Sequence, residues 1–379
     1  MIRVLHVPQD SLFFDIVYPF WEDNSLFENK AVYISESKDY TFDKIKNKER
    51  IEILWGKREI ESRFRTDDYD VVFFYSLPVR LYNIIPLIPK EKIIIWWGWG
   101  YELYGSYRCL PPLIKINLFK PLTKKYERGR GLTYRNLLST IKWTLLRKYA
   151  LKIQRRALER IDYFQPVVKK EFQLMCLNES FGAREFYYKD SSLQYEKTEL
   201  KKTDGSILLG NSATLTNNHL DVYNYLKEFK QKGQKIYMPL SYGNDEYKKW
   251  LLDNIDESDT IPILDFMPSE DYYKILDSCS YAVFGTIRQQ ALGNINYAIS
   301  KGIKVFLYKD SVVYKNNIEL GFVVYAIEDM DKASLSTPLS LEEIEQNIKA
   351  LERERNRRMR IYQSCVKEIE DRIRRNNNN

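Results

Sequence analysis

This chain has very little of the vocabulary that metal and redox chemistry need. Its 379 residues include two histidines, His6 and His219, and four cysteines, Cys109, Cys176, Cys279 and Cys365, none in a CxxC pair. So few imidazoles exclude a histidine-rich metal centre. Thiols scattered in this way exclude a disulfide framework and a cysteine zinc site, and they fit a reducing compartment. Neither a metal nor a cofactor is expected. Long apolar runs are missing as well. The longest, VVFFYSLPV and IIIWWGWG, fall far short of the ~20 residues that cross a bilayer. The opening MIRVLHVPQDS turns polar too early for a signal peptide, so a cytoplasmic, non-spanning protein is expected. There is no Walker loop, GxSxG elbow, HExxH or GxGxxG with its acidic partner, which weakens kinase, hydrolase and dehydrogenase readings.

What is present is apolar and aromatic. The 44% hydrophobic and 14% aromatic content suits a packed globular protein, and the length suits two domains. The net charge of +7 is unevenly placed: residues 105–160 hold 15 Lys or Arg against Glu127 and Glu159. The rest of the chain is therefore net acidic, and something anionic is expected to approach this block.

Short apolar strands alternate with amphipathic stretches. Strands are expected at Arg3–Val7, Ala31–Ser35, Val71–Ser76, Ile93–Trp97 and Tyr163–Pro166, with helices over 11–21 and 134–160. The charged stretch 189–206 reads as a linker. Strands then follow at Ile207–Leu209, Lys235–Pro239, Ile261–Phe266, Tyr281–Gly285, Lys304–Tyr308 and Phe322–Ala326. Helices are expected at Asn217–Lys230, Asp245–Asn254, Ser269–Ser278 and Thr286–Lys301, and a long charged one over 341–375. Such alternation predicts doubly wound parallel sheets, two Rossmann-like halves facing across a cleft. The expected division is 1–195, with the basic segment 105–160 inside it, then 196–340, then a C-terminal helix over 341–379 that packs back across the domains.

Parallel sheets bind ligands at the carboxyl ends of their strands, which selects the motifs that matter. In FGTIRQQALGNINYAISKG, Thr286 and Gln289 have capping-box spacing, which puts Arg288 in a first helical turn and Gly293 inside the helix. An anion docked there would offset the dipole penalty on Arg288, with Gln289 and Gln290 offered to sugar hydroxyls. In LGNSATLTNNHL, Gly210, Asn211 and Ser212 form a small polar loop before a helix capped near Asn217. His219 is either a phosphate donor in the first turn or a buried structural histidine. Tyr242 and Gly243 end a further strand, and the ring is placed either to stack on a base or to pack. In the first half, Glu102 follows WWGWG at a strand end, where partial desolvation would raise a carboxylate toward general-base range. His6 and Asp10 occupy the matching rim position after the first strand. Asp68-Tyr69-Asp70 has DxD spacing but precedes its strand, at the wrong end for a site. In the basic block, Leu138, Ile141, Leu145 and Tyr149 form a helical stripe with Arg147, Lys148, Lys152, Arg155 and Arg156 nearby. That pattern fits an anionic membrane surface or a solvated helix face.

These segments resemble the bacterial TDP-N-acetylfucosamine:lipid II N-acetylfucosaminyltransferase family, also known as 4-alpha-L-fucosyltransferases. The likeness is clearest over 207–327: LGNS with Asn217 and His219, the Pro239/Tyr242 stretch, and RQQ with Gly293 followed by KGIKV. In the first half it rests on His6-Val7, Asp10 and WGYELY, where the family has an aspartate at the position of Glu102. The resemblance implies a metal-independent GT-B glycosyltransferase. Its second domain would hold a nucleotide-diphosphate sugar donor through Gly210, Asn211, Ser212, Asn217, His219, Tyr242, Gly243, Arg288, Gln289, Gln290 and Gly293. Its first domain would hold a polyprenyl-diphosphate-linked glycan, with Glu102 or Asp10 as base and His6 beside them. The enzyme would work at the inner face of the cell membrane. A nucleotide-sugar epimerase or other nucleotide-sugar enzyme is the alternative, with a nucleic-acid-binding protein using residues 105–160 a more remote one. Nucleic acid is not an expected partner, since the aromatic residues show no RNA-binding interleaving.

Overall fold

The computed structural model describes residues 1–105, 110–129, 134–188, 204–256 and 258–377, the side chains of 134–146 and 377 apart. The chain forms two compact units: Met1–Lys115, Thr133–Ser192 and Asn356–Asn379 in the first, Ile116–Leu132 and Leu193–Arg355 in the second.

The first unit is built on strands β1 (Ile2–Val7), β2 (Phe27–Ser35), β3 (Ile51–Trp55), β4 (Val71–Phe74), β5 (Ile93–Trp97), β6 (Tyr163–Gln165) and β7 (Arg184–Glu185). They form one sheet in the order β3-β2-β1-β4-β5-β6-β7, with every pairing parallel. Its helices are α1 (Phe13–Glu22), α2 (Lys57–Phe64), α3 (Gly100–Tyr104), α5 (Tyr134–Arg160) and α6 (Lys169–Met175). Every residue of β4 and β5 is buried, which explains their unbroken apolar runs: both faces of the sheet are covered. The edge strand β3 keeps Glu52 and Trp55 exposed, so its weaker pattern escapes sequence reading.

The second unit carries β8 (Ser206–Leu209), β9 (Ile236–Pro239), β10 (Thr260–Ile263), β11 (Cys279–Phe284), β12 (Lys304–Leu307) and β13 (Tyr325–Ala326). Their order is β10-β9-β8-β11-β12-β13, again all parallel. The helices are α7 (His219–Phe229), α8 (Asp245–Leu252), α9 (Ser269–Ser278), α10 (Leu292–Ser300) and α11 (Val312–Leu320). Also here is α4 (Pro121–Gly129), which comes from the basic block and would be assigned by sequence to the first domain. The long helix α12 (Leu341–Asn377) gives Ala350 and Leu351 to the second unit's core and Tyr362, Cys365, Val366 and Ile369 to the first.

Two expectations change. The helix expected from Thr286 begins at Leu292, so residues 285–291 are loop. The strand expected over Phe322–Ala326 shortens to its last two residues. Of the stretch read as a linker, 189–203 lies outside the described residues, as do Cys109 and the side chains of Leu138, Ile141 and Leu145.

Candidate functional site

The second sheet reverses its winding between β8 and β11, so the loops after these two strands flank the topological switch point. After β8 the chain turns through Gly210 at φ +71°, a left-handed conformation that favours glycine. A Cβ there would lie 2.5 Å from His219 Nε2 and 3.4 Å from Asn217 Oδ1. Gly285, after β11, is also obligatory, because its Cβ would meet the Asn217 carbonyl oxygen at 2.3 Å. The two strand ends thus close on the short 3₁₀ turn Leu215–Asn217 and on the start of α7.

A polar network joins three strand ends. Gln290 Nε2 donates to Thr214 Oγ1 at 2.9 Å and to Asn211 Oδ1 at 3.3 Å, and its Oε1 accepts from Thr216 Oγ1 at 2.6 Å. Asn211 Nδ2 donates to Tyr242 Oη at 3.1 Å, while Asn217 Nδ2 donates to the Ser212 carbonyl and to Thr214 Oγ1. Gly243, at φ +131°, lies against Ala213. This packing lets Ala213 N donate to the Tyr242 carbonyl and Asn244 N donate to the Ala213 carbonyl, each at 2.8 Å. The Tyr242 ring is 55% exposed, open to a planar partner.

Beneath this network lie three buried polar atoms with no hydrogen-bond partner among the described residues: Asn217 Oδ1, His219 Nε2 and Thr286 Oγ1. Buried polar atoms are rarely left this way, and all three cluster where the two glycines bring β8 and β11 together. His219 is fully buried, its Nδ1 3.2 Å from Tyr247 Oη. Burial lowers its pKa to about 3, so the ring is neutral, and of the two sequence alternatives its burial matches the structural histidine. Arg288 is half-buried in the loop, with Nη1 donating to the Gln289 carbonyl at 2.9 Å. The capping box is absent. Gln289 is buried instead, and Ala291 in the left-handed region at φ +59° starts α10. Gly293 is exposed at the second position of that helix, and a Cβ added there would meet nothing within 4 Å, so packing does not require it.

The first-unit candidates do not form an open base. Glu102 is only 4% exposed; it accepts from Leu77 N at 2.7 Å, Trp96 Nε1 at 3.0 Å and Trp99 N at 2.7 Å. It ties the end of β4 to β5 and caps α3, so it is not at the rim. Loss of water raises its pKa to about 8, outweighing the three N–H donors that act the other way. His6 is also sealed in. Its Nε2 donates to Asn29 Oδ1 at 2.9 Å, its ring packs on Tyr18 and Trp21, and burial lowers its pKa to about 4. Asp10 is half-buried. Its two oxygens accept from Tyr40 Oη and from the backbone of Asp43, Lys44 and Ile45, clasping that loop. Despite partial desolvation, these donors hold its pKa below the ordinary value. Asp68 and Asp70 stand at the amino end of β4, paired with Arg63 and Arg3, away from the carboxyl-end rim. Sequence reading missed Thr214, Thr216 and Asn218, although the run of small polar residues in SATLTNN carries their signal. It also missed Ser76 and Tyr101, whose hydroxyls meet at 2.5 Å at the first sheet's rim. Arg147, Lys148, Lys152, Arg155 and Arg156 are all exposed on α5, Arg155 paired with Glu159.

Residues 181–350 match the family described as 4-alpha-L-fucosyltransferase, glycosyl transferase group 56. This chain is a nucleotide-sugar glycosyltransferase of the GT-B fold. Sucrose-phosphate synthase from Thermosynechococcus elongatus is 8% identical with a TM-score of 0.57, over 99% of each chain. Anabaena HepE, solved with UDP-glucose, is 9% identical with a TM-score of 0.54, covering 98% of this glycosyltransferase and 100% of HepE. A mutant O-GlcNAc transferase from Thermobaculum terrenum is 11% identical with a TM-score of 0.54, over 99% of this chain and 67% of that one. At these identities the structural likeness speaks for the fold. No curated protein matches in sequence.

Proposed function

We propose that this glycosyltransferase moves an N-acetylfucosamine-like sugar from a nucleoside-diphosphate donor to a polyprenyl-diphosphate-linked glycan at an anionic membrane surface. The observation that carries the reading is the switch point of the second unit. There, two close-packed glycine turns, a hydroxyl and amide network and three unpartnered buried polar atoms converge. Asn211, Thr214, Thr216 and Gln290 supply neutral donors and acceptors suited to sugar and phosphate oxygens. The exposed Tyr242 ring supplies a stacking face for a base. Arg288 provides the charge that stabilises the departing diphosphate. In the first unit Asp10 is the base candidate that reaches solvent, while Glu102 and His6 hold the rim in shape. The exposed cations of α5 favour an anionic surface at roughly 1 kcal/mol each. No helix among the described residues is long and apolar enough to cross a membrane, which suits peripheral attachment.

A panel of nucleoside-diphosphate sugars, screened by thermal shift and then by transfer to a polyprenyl-diphosphate glycan, tests the reading. A donor that stabilises the wild-type protein and loses its effect in Gln290→Ala and Arg288→Ala supports it. A bound donor equally tolerant of both substitutions overturns the site. Release of free sugar without an extended acceptor overturns the transfer.

A further inference from the structure

Helix α4 sits in the second unit although its sequence lies among first-unit segments, and its docking is specific. Asp221 of α7 accepts from Leu122 N at 2.8 Å, Thr123 N at 2.9 Å and Thr123 Oγ1 at 2.7 Å. Asn218 binds both ways: its Oδ1 accepts from Lys120 N at 2.8 Å, and its Nδ2 donates to the Leu118 carbonyl at 3.1 Å and the Gly285 carbonyl at 2.7 Å. Tyr126 packs on Trp250 with ring centroids 4.3 Å apart. One side of α4 is thereby fixed, and the other side is cationic. Lys120, Lys124, Lys125 and Arg128 line a cavity of about 480 Å³ with Phe119, Pro121 and Asn117, opposed by one carboxylate, Asp310. Lys120 engages that carboxylate at 3.0 Å and lies over the Tyr308 ring. Lys124, Lys125 and Arg128 have no carboxylate partner among the described residues. The three cations face the cavity together while the neighbouring acid of the helix, Glu127, does not line it, and a bound anion offsets their mutual repulsion.

We propose that this cavity is a second anion site, which takes a phosphate or diphosphate group of a ligand other than the nucleotide donor. Asn218 is its partition from the switch point, since one side chain contacts both Gly285 of the donor loop and Lys120 of the cavity wall. Two anionic ligands are therefore held side by side. Phe119 and Pro121 give the site an apolar edge, which suits a phosphate carried on a hydrocarbon chain. Its assignment to the acceptor's diphosphate rests on the transferase reading above; its anion chemistry does not.

The test uses the full chain and a K124Q/K125Q/R128Q variant, all three side chains lying outside the core. Titration with inorganic pyrophosphate is expected to show binding at least 10-fold weaker in the variant, at an unchanged melting temperature. The control Asn211→Ala/Gln290→Ala should keep this pyrophosphate binding. A second arm measures co-sedimentation with vesicles of phosphatidylglycerol and phosphatidylcholine against phosphatidylcholine alone. Loss of anionic-vesicle binding in the variant identifies a lipid headgroup as the source. Retained vesicle binding with pyrophosphate affinity lost identifies a soluble diphosphate. If the variant binds both probes as the wild type does, the site does not exist. If transfer to a lipid-linked acceptor is also measured, the variant raises acceptor KM and leaves donor KM unchanged. Failure of transfer in the wild type would remove the acceptor assignment while the pyrophosphate result stands.

Discussion

At the scale of single residues, Glu102 shows how the same side chain can invite a catalytic reading and serve a structural one. Its position after an aromatic strand end is legible in the sequence, and so is a raised pKa. What the sequence hides is that three N–H donors from three different segments turn the carboxyl inward. With its pKa pushed from 4.5 to about 8, the fold favours the protonated form. The associated stability is complete below the ordinary carboxylate pKa and is lost as pH rises through about 8. The melting temperature of wild type should therefore fall between about pH 5 and pH 8 with a slope that Glu102→Gln lacks; parallel slopes would contradict this. The glycines make a second pair of expectations. Gly210→Ala meets both a left-handed backbone and His219, and should cost about 1–3 kcal/mol in urea unfolding. Gly293→Ala, in open space on α10, should stabilise by up to about 1 kcal/mol. A loss of stability at Gly293 would show a contact that this geometry does not contain.

At the scale of elements, periodicity reads well where burial is complete and poorly at edges. The buried strands β4, β5 and β11 fall where unbroken apolar runs place them, and β13 falls inside its expected stretch but is shorter, while β3 and the two-residue β7 are too mixed or too short to announce themselves. The Thr286/Gln289 spacing failed for a different reason. Capping-box residues start a helix only when the threonine can reach the amide three residues on, and here Thr286 is fully buried after the close Gly285 turn. Tertiary packing at the switch point overrides the local signal. Helix α4 is the clearest case of a placement no local pattern reveals, because its N-terminal donors are satisfied by Asp221, 98 and 99 residues away. Asp221→Ala removes the acceptor shared by the Leu122 and Thr123 amides and the Thr123 hydroxyl, and should cost about 2 kcal/mol. Hydrogen exchange should show the loss concentrated over 118–129. Uniform exchange would mean that α4 is held by its Tyr126 contacts alone.

At the scale of the whole molecule, the two parallel sheets follow from the strand–helix alternation, and the residues proposed to meet the donor could be picked from the sequence because they follow the strand ends of one sheet. The first-unit candidates were less legible, since His6 and Glu102 are buried and Asp10, although it reaches solvent, is engaged by Tyr40 and the backbone of 43–45. The charge asymmetry was visible in composition, and its membrane meaning is checked by reversing Arg147, Lys148, Lys152, Arg155 and Arg156 to glutamate. Release from anionic vesicles at unchanged folding is the expected result, and undiminished binding would count against α5 as the contact. The central claim concerns the second unit alone: a nucleoside diphosphate docks where β8 and β11 end. A crystal structure with a bound nucleoside diphosphate measures it directly. The account predicts phosphate oxygens within hydrogen-bond reach of the loops 210–216 and 285–290, and phosphates placed at any other strand ends would contradict it.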